Sequence, residues 1–69
     1  MATIHYGHGN DTPGTLSRDS DEDAIRVARS IVRDGYRNDT WASVHLSDGR
    51  TYQAHNAHGH VVARYTKLD

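Results

Sequence analysis

The sequence predicts an α+β domain of ββαβββ order, one helix packed on a five-stranded, mainly antiparallel sheet. Three observations predict it. Residues 41–46, 50–55 and 60–65 alternate small or apolar with polar side chains, the period-2 sign of strands with one buried face. Turn-forming stretches divide them, Ser47-Asp48-Gly49 and Asn56-Ala57-His58-Gly59. Upstream, Ala24, Ile25, Ala28, Ile31 and Val32 fall on one stripe at about 100° per residue, as on a helix that buries one side.

Taken in chain order, residues 3–6 (Thr-Ile-His-Tyr) read as a first strand and residues 10–14 (Asn-Asp-Thr-Pro-Gly) as a turn. Thr15, Leu16 and Ser17 form a short returning strand, with Ile4, Tyr6 and Leu16 directed inward. Ser20 or Asp19 then caps the helix, whose first turn carries Asp21, Glu22 and Asp23 at the end that favours negative charge, and Gly35 stops it. Arg26, Arg29 and Arg33 lie on the side away from the apolar stripe, with Arg37 extending the row.

The register of the last three strands follows from face matching. A two-residue loop at Asp48-Gly49 would set Leu46 opposite Thr51 and Val44 opposite Gln53, mixing apolar with polar on one face. A three-residue loop with Gly49 left-handed at a bulge instead pairs Leu46 with Arg50, Val44 with Tyr52 and Ala42 with Ala54. A four-residue second turn then sets His55 against His60, Ala54 against Val61 and Tyr52 against Ala63. The expected inner face is Ala42, Val44, Leu46, Tyr52, Ala54, Val61, Ala63 and Tyr65. The outer face is Trp41, Ser43, His45, Thr51, Gln53, His55, His60, Val62 and Arg64.

Sixty-nine residues make a single domain, 1–69, and a chain of this size buries only roughly 60% of the surface its unfolded form exposes. Leu, Ile and Val together number eleven and Phe is absent, so the core is thin, but a net charge of −1 and regular alternation argue for order. Such a core leaves room for further burial in a homodimer or a complex. With no cysteine, disulfides and thiolate metal sites are excluded. Neither an apolar span nor a signal-peptide pattern is present, which leads to the expectation of a cytoplasmic protein without membrane contact.

Three features bear on function. His55, His58 and His60, from a total of six histidines, surround one hairpin and could offer imidazoles to zinc or nickel. No nearby carboxylate completes a tetrahedron, so no metal and no other cofactor is expected. Arg26, Arg29 and Arg33 could grip phosphate or an acidic protein. Glu22 lies one turn before Arg26, however, and the chain is slightly acidic overall, which favours a solvated helix face. The third is the outer sheet face, which one helix leaves open. There Trp41, His55 and His60 are expected to form one cross-strand row and His45, Thr51 and Arg64 another. Trp, His and Arg together are the mixture enriched in binding hot spots. Trp41, His45, Gln53, His55, His60 and Arg64 are the candidate partner-binding residues; Arg26, Arg29 and Arg33 are secondary. No catalytic residue is assigned. His55, His60 and Tyr65 have the side chains of a histidine-dependent ribonuclease, but no nucleophile, phosphate loop or carboxylate pair accompanies them.

The order of a strand, a turn, the Gly14-Thr15-Leu16-Ser17 strand, a Ser20-capped helix with Ala24, Ala28 and Ile31, then residues 44–52 (Val-His-Leu-Ser-Asp-Gly-Arg-Thr-Tyr) and a last strand at residues 61–65 (Val-Val-Ala-Arg-Tyr) resembles small phage-encoded anti-CRISPR proteins, in particular inhibitors of type I-F systems. The resemblance spans nearly the whole chain. It implies a non-enzymatic protein in a bacterial host cell that occupies a surface of the CRISPR surveillance complex and blocks target nucleic-acid binding. This chain departs from the pattern in being slightly acidic and histidine-rich rather than lysine-rich. The alternatives are a small nucleic-acid-binding regulator and, after it, the ribonuclease.

Overall fold

In the computed structural model, residues 1–9, 13–35 and 39–66 are described. They form β1 (Ala2–His8), β2 (Gly14–Arg18), α1 (Asp21–Asp34), β3 (Thr40–His45), β4 (Thr51–Ala57) and β5 (His60–Thr66). The strands make one fully antiparallel sheet in the order β2-β1-β3-β4-β5, with α1 against one face. This is the predicted ββαβββ fold. Of the expected first turn, residues 10–12 lie outside the described residues, as does Arg37.

The helix begins where Ser20 accepts the Asp23 main-chain N–H at 3.1 Å. Its end has a different cause from the usual glycine stop. Gly35 has φ −67°, and a Cβ placed on it would lie 2.6 Å from Thr40 Oγ1, so glycine is needed for space against β3 rather than for a left-handed turn. Between these ends α1 buries Ala24, Ala28 and Val32 over Ala2, Ile4, Ala42, Val44 and Ala54. Five of these are alanines, and small side chains on both sides let helix and sheet approach closely. Ile25 and Val27 pack partly at the margins.

Both ends of α1 are fastened to the hairpin turns by single polar side chains. At the start, the Asp21 carboxylate accepts from Ser47 N at 3.0 Å and from Ser47 Oγ at 2.7 Å. At the end, Asn56, 3% exposed, donates from Nδ2 to Val32 O at 3.0 Å and Gly35 O at 3.5 Å. Its Oδ1 accepts Gly59 N–H at 3.0 Å. One buried amide thus satisfies terminal helix carbonyls and the second hairpin turn together.

The first hairpin has the predicted register, Ala42 with Ala54 and Val44 with Tyr52. Leu46 N–H donates to Arg50 O at 2.8 Å, and Gly49, at φ +91°, donates to Leu46 O at 3.1 Å. In the loop, the Arg50 main-chain N–H at 3.0 Å and its guanidinium at 2.7 Å hold the Asp48 carboxyl below its ordinary pKa. Gly49→Ala is expected to lower stability by about 1 kcal/mol, because an L side chain is strained at this φ. Urea denaturation of the variant measures it, and an unchanged midpoint would show that Gly49 does not need its left-handed conformation.

The second hairpin corrects the sequence reading. Its loop is two residues, His58 at φ +54° and Gly59 at φ +86°, the pair of positive φ values that a type I′ turn requires. His60 therefore pairs with Ala57, His55 with Val62, Ala54 with Ala63 and Tyr52 with Tyr65. The expected pairs His55–His60, Ala54–Val61 and Tyr52–Ala63 do not form. Asn56, read as a turn former, is a strand residue whose side chain serves the turn from inside. The slip is two residues, so residues 51–55 and 60–65 keep their predicted faces.

Burial on β5 also departs from expectation. Ala63 and Tyr65 lie on the helix side, yet both are exposed, Tyr65 to 52%. The cause is width: five strands at about 4.8 Å spacing span roughly 19 Å, while a helix is only about 10 Å across. Tyr65 finds partners beside the helix instead. It meets Tyr52 edge-on at 5.2 Å between ring centroids and takes the Arg50 guanidinium over its face at 4.9 Å.

Candidate functional site

On the side away from α1, alternate residues of the strands line up in rows. One row runs Gly7, Trp41, His55, Val62; the next His5, Ser43, Gln53, Arg64; the third Thr3, His45, Thr51, Thr66. The two expected rows are corrected accordingly. Val62 replaces His60 beside His55, and Arg64 lies next to Gln53 rather than in the row of His45.

Trp41 is half-buried and held in place. Its ring lies over Gly7, where a Cβ would come within 3.3 Å of the indole, and its Nε1 donates to Gly9 O at 3.1 Å. The glycine lets an aromatic ring cover the neighbouring strand. A shallow groove of about 530 Å³ opens beside it, lined by Trp41, Ser43, Gln53, His55, Val62 and Arg64 with the alanines between them. Four of the six predicted contact residues, Trp41, Gln53, His55 and Arg64, therefore meet at one groove. His45 and His60 share its face but not its lining. His45 meets His5 edge-on, ring centroids 5.3 Å apart, and Thr15 Oγ1 lies 3.4 Å from His5 Nδ1. Val62 and Ser43, placed on the outer face from their alternation, were not singled out as contacts, and His5 was missed. The sequence signal for His5 was its place between inward Ile4 and Tyr6.

Among the described residues this face carries four histidines (His5, His45, His55, His60) and Arg64 on the paired strands, and Asp39 stands at its end opposite Gly9, where its carboxylate occupies the space a Cβ on Gly9 would take. The described carboxylates lie on α1 and in the connecting segments: Asp19, Asp21, Glu22, Asp23, Asp34, Asp39 and Asp48.

The arginine row is more occupied than its spacing suggests. Arg26 pairs with Asp23 rather than with Glu22. Arg33 reaches Asp34 at 3.3 Å and Ser30 at 3.2 Å. Arg29 leans off the helix to donate to Tyr52 Oη at 3.0 Å, so it belongs to the flank between α1 and the sheet. The ribonuclease constellation is not assembled either, since Tyr65 lies on the helix side of the sheet, opposite His55 and His60. Among the described residues, no three His, Asp or Glu side chains converge on a point that could hold a metal ion.

Comparison with protein families, curated proteins and solved structures found no match to this chain. No helix among the described residues is long and apolar enough to cross a membrane.

Proposed function

We propose that this protein is a stoichiometric, non-catalytic protein-binding inhibitor whose contact surface is the open sheet face. The observation that carries this reading is the groove beside Trp41. A rigidly held indole, an aliphatic wall at Val62 and polar groups at Gln53, His55 and Arg64 form an amphipathic, weakly charged surface, the composition of a protein contact. The histidines and Arg64 across the paired strands, with Asp39 only at one end, suit a partner with an acidic or neutral surface. The resemblance of the element order to phage anti-CRISPR proteins supports a subunit of a type I CRISPR surveillance complex as that partner, with target nucleic-acid binding blocked by occupation of the surface.

A second reading is favoured by the same histidines and Arg64: a regulator that lays nucleic acid across them and stacks a base on Trp41. Arg64 is the single Lys or Arg on the described face and Asp39 stands at its end, too little positive charge for phosphate-driven affinity. The experiment that separates the two is capture from host lysate read by mass spectrometry, followed by affinity measured against salt. A protein contact predicts a shallow dependence, while a steep fall with salt and recovery of nucleic acid alone would replace the first reading with the second.

A further inference from the structure

β5 ends the sheet, and its outer edge is a template for another strand. The turn determines which groups that edge presents. A two-residue loop hydrogen-bonds Ala57 and His60 to each other, so by alternation His60, Val62, Arg64 and Thr66 face β4, while Val61, Ala63 and Tyr65 turn N–H and C=O outward. The strand is seven residues long, contains no proline and carries two exposed apolar side chains, Val62 at 46% and Tyr65 at 52%. The opposite edge, β2, is shorter at five residues, and at its end Arg18 donates to Ser17 O at 2.8 Å.

The geometry points to β5 pairing antiparallel with β5 of a second copy about a two-fold axis at Ala63, joining two five-stranded sheets into one of ten strands. A second copy is the occupant because the strand is complementary to itself in this register. On the helix side Val61 meets Tyr65 of the second copy, and Ala63 meets Ala63. On the outer side Val62 meets Arg64, and His60 meets Thr66. No like charges stand directly opposite. The neighbouring registers are worse. An axis at Arg64 sets that arginine against itself, and an axis at Val62 sets Arg64 opposite His60 and leaves Tyr65 facing Gly59. The pairing also covers the two side chains that the helix is too narrow to reach on this flank.

The area sets the strength. A seven-residue strand is about 23 Å long, and with the sheet about 10 Å thick on this flank, beyond the helix, it offers roughly 230 Å² per copy. Doubled, this falls below the about 1,200 Å² of standard stable interfaces, so the dimer is reversible and concentration-dependent. The seam and the Trp41 groove share Val62 and Arg64, while Trp41, Gln53 and His55 belong to the groove alone, so dimerisation is measured on the chain without a partner.

Sedimentation equilibrium on the full chain from about 10 μM to about 1 mM tests this, with the mass expected to rise from one chain toward two. The chain has no cysteine, so a single introduced thiol reports only contacts between copies. Ala63→Cys is expected to form a disulfide-linked dimer on mild oxidation, because facing residues of a hydrogen-bonded pair stand about 5.5 Å apart at Cα. Val62→Cys, whose two copies are diagonal neighbours about 7–8 Å apart, and Thr15→Cys on β2 are expected to stay monomeric. Ala63→Pro removes an outward N–H that no strand among the described residues uses, and is expected to abolish the mass increase with the circular dichroism spectrum retained. A single-chain mass across the whole range would overturn the proposal, as would a dimer that Thr15→Cys links as readily as Ala63→Cys does. If Ala63→Pro loses its spectrum, the cysteine series decides alone.

Discussion

Asn56→Ala is expected to lower folding stability by about 2–4 kcal/mol. The residue is 3% exposed, and its amide serves Val32 O, Gly35 O and Gly59 N–H. Each buried polar group left without a partner costs about 1–3 kcal/mol, and truncation orphans more than one. Against the roughly 3–10 kcal/mol of stability typical for this length, that is a large fraction. Asn56→Asp is expected to cost as much, since it keeps the acceptor for Gly59 but sets a carboxylate against the carbonyls of Val32 and Gly35. Guanidinium denaturation of both variants measures the effect. A loss under about 0.5 kcal/mol for alanine would mean that water replaces the amide at no cost and that the helix end is not fastened to the turn.

Arg64→Ala and Trp41→Ala are each expected to weaken partner binding by more than about 1 kcal/mol, or at least fivefold in affinity. Both side chains line the groove on the outer face. Arg64 is the cleaner probe, being exposed and remote from the core, whereas Trp41→Ala also removes the ring from Gly7 and the bond to Gly9 O and so lowers stability as well. Arg26→Ala and Arg33→Ala are expected to leave binding nearly unchanged, because these side chains are exposed on the helix, across the domain from the groove. Arg29→Ala is expected to act on stability instead, by leaving Tyr52 Oη without its donor. Titration of each variant against the captured partner, with circular dichroism as the folding control, decides. Loss of binding in the helix variants alone, with Arg64→Ala unaffected, would sink the sheet-face reading and move the contact to α1.

The sequence by itself determined the element order, a helix cap at Ser20 or Asp19, the bulged first hairpin and the faces of residues 41–46, 51–55 and 60–65. These are local properties: side-chain period fixes the face, and a left-handed glycine three residues after Leu46 fixes the loop. The same locality explains the failure at the second hairpin. Asn56 has turn chemistry, and whether it lies in the turn or before it depended on the helix carbonyls it could reach, which come from residues 21–24 positions earlier in the chain. His58 in a left-handed conformation gave little warning, since glycine and asparagine are the usual residues there. Because the error was two residues, the faces survived while the rows changed, moving Arg64 beside Gln53 and Val62 beside His55. Only the tertiary structure decided the rest: the place of β1 between β2 and β3, which seats Trp41 over Gly7; the fastening of both helix ends; and the exposure of β5. Each depends on distances between segments far apart in sequence and on the width of one helix over five strands, quantities that no local pattern of residues encodes.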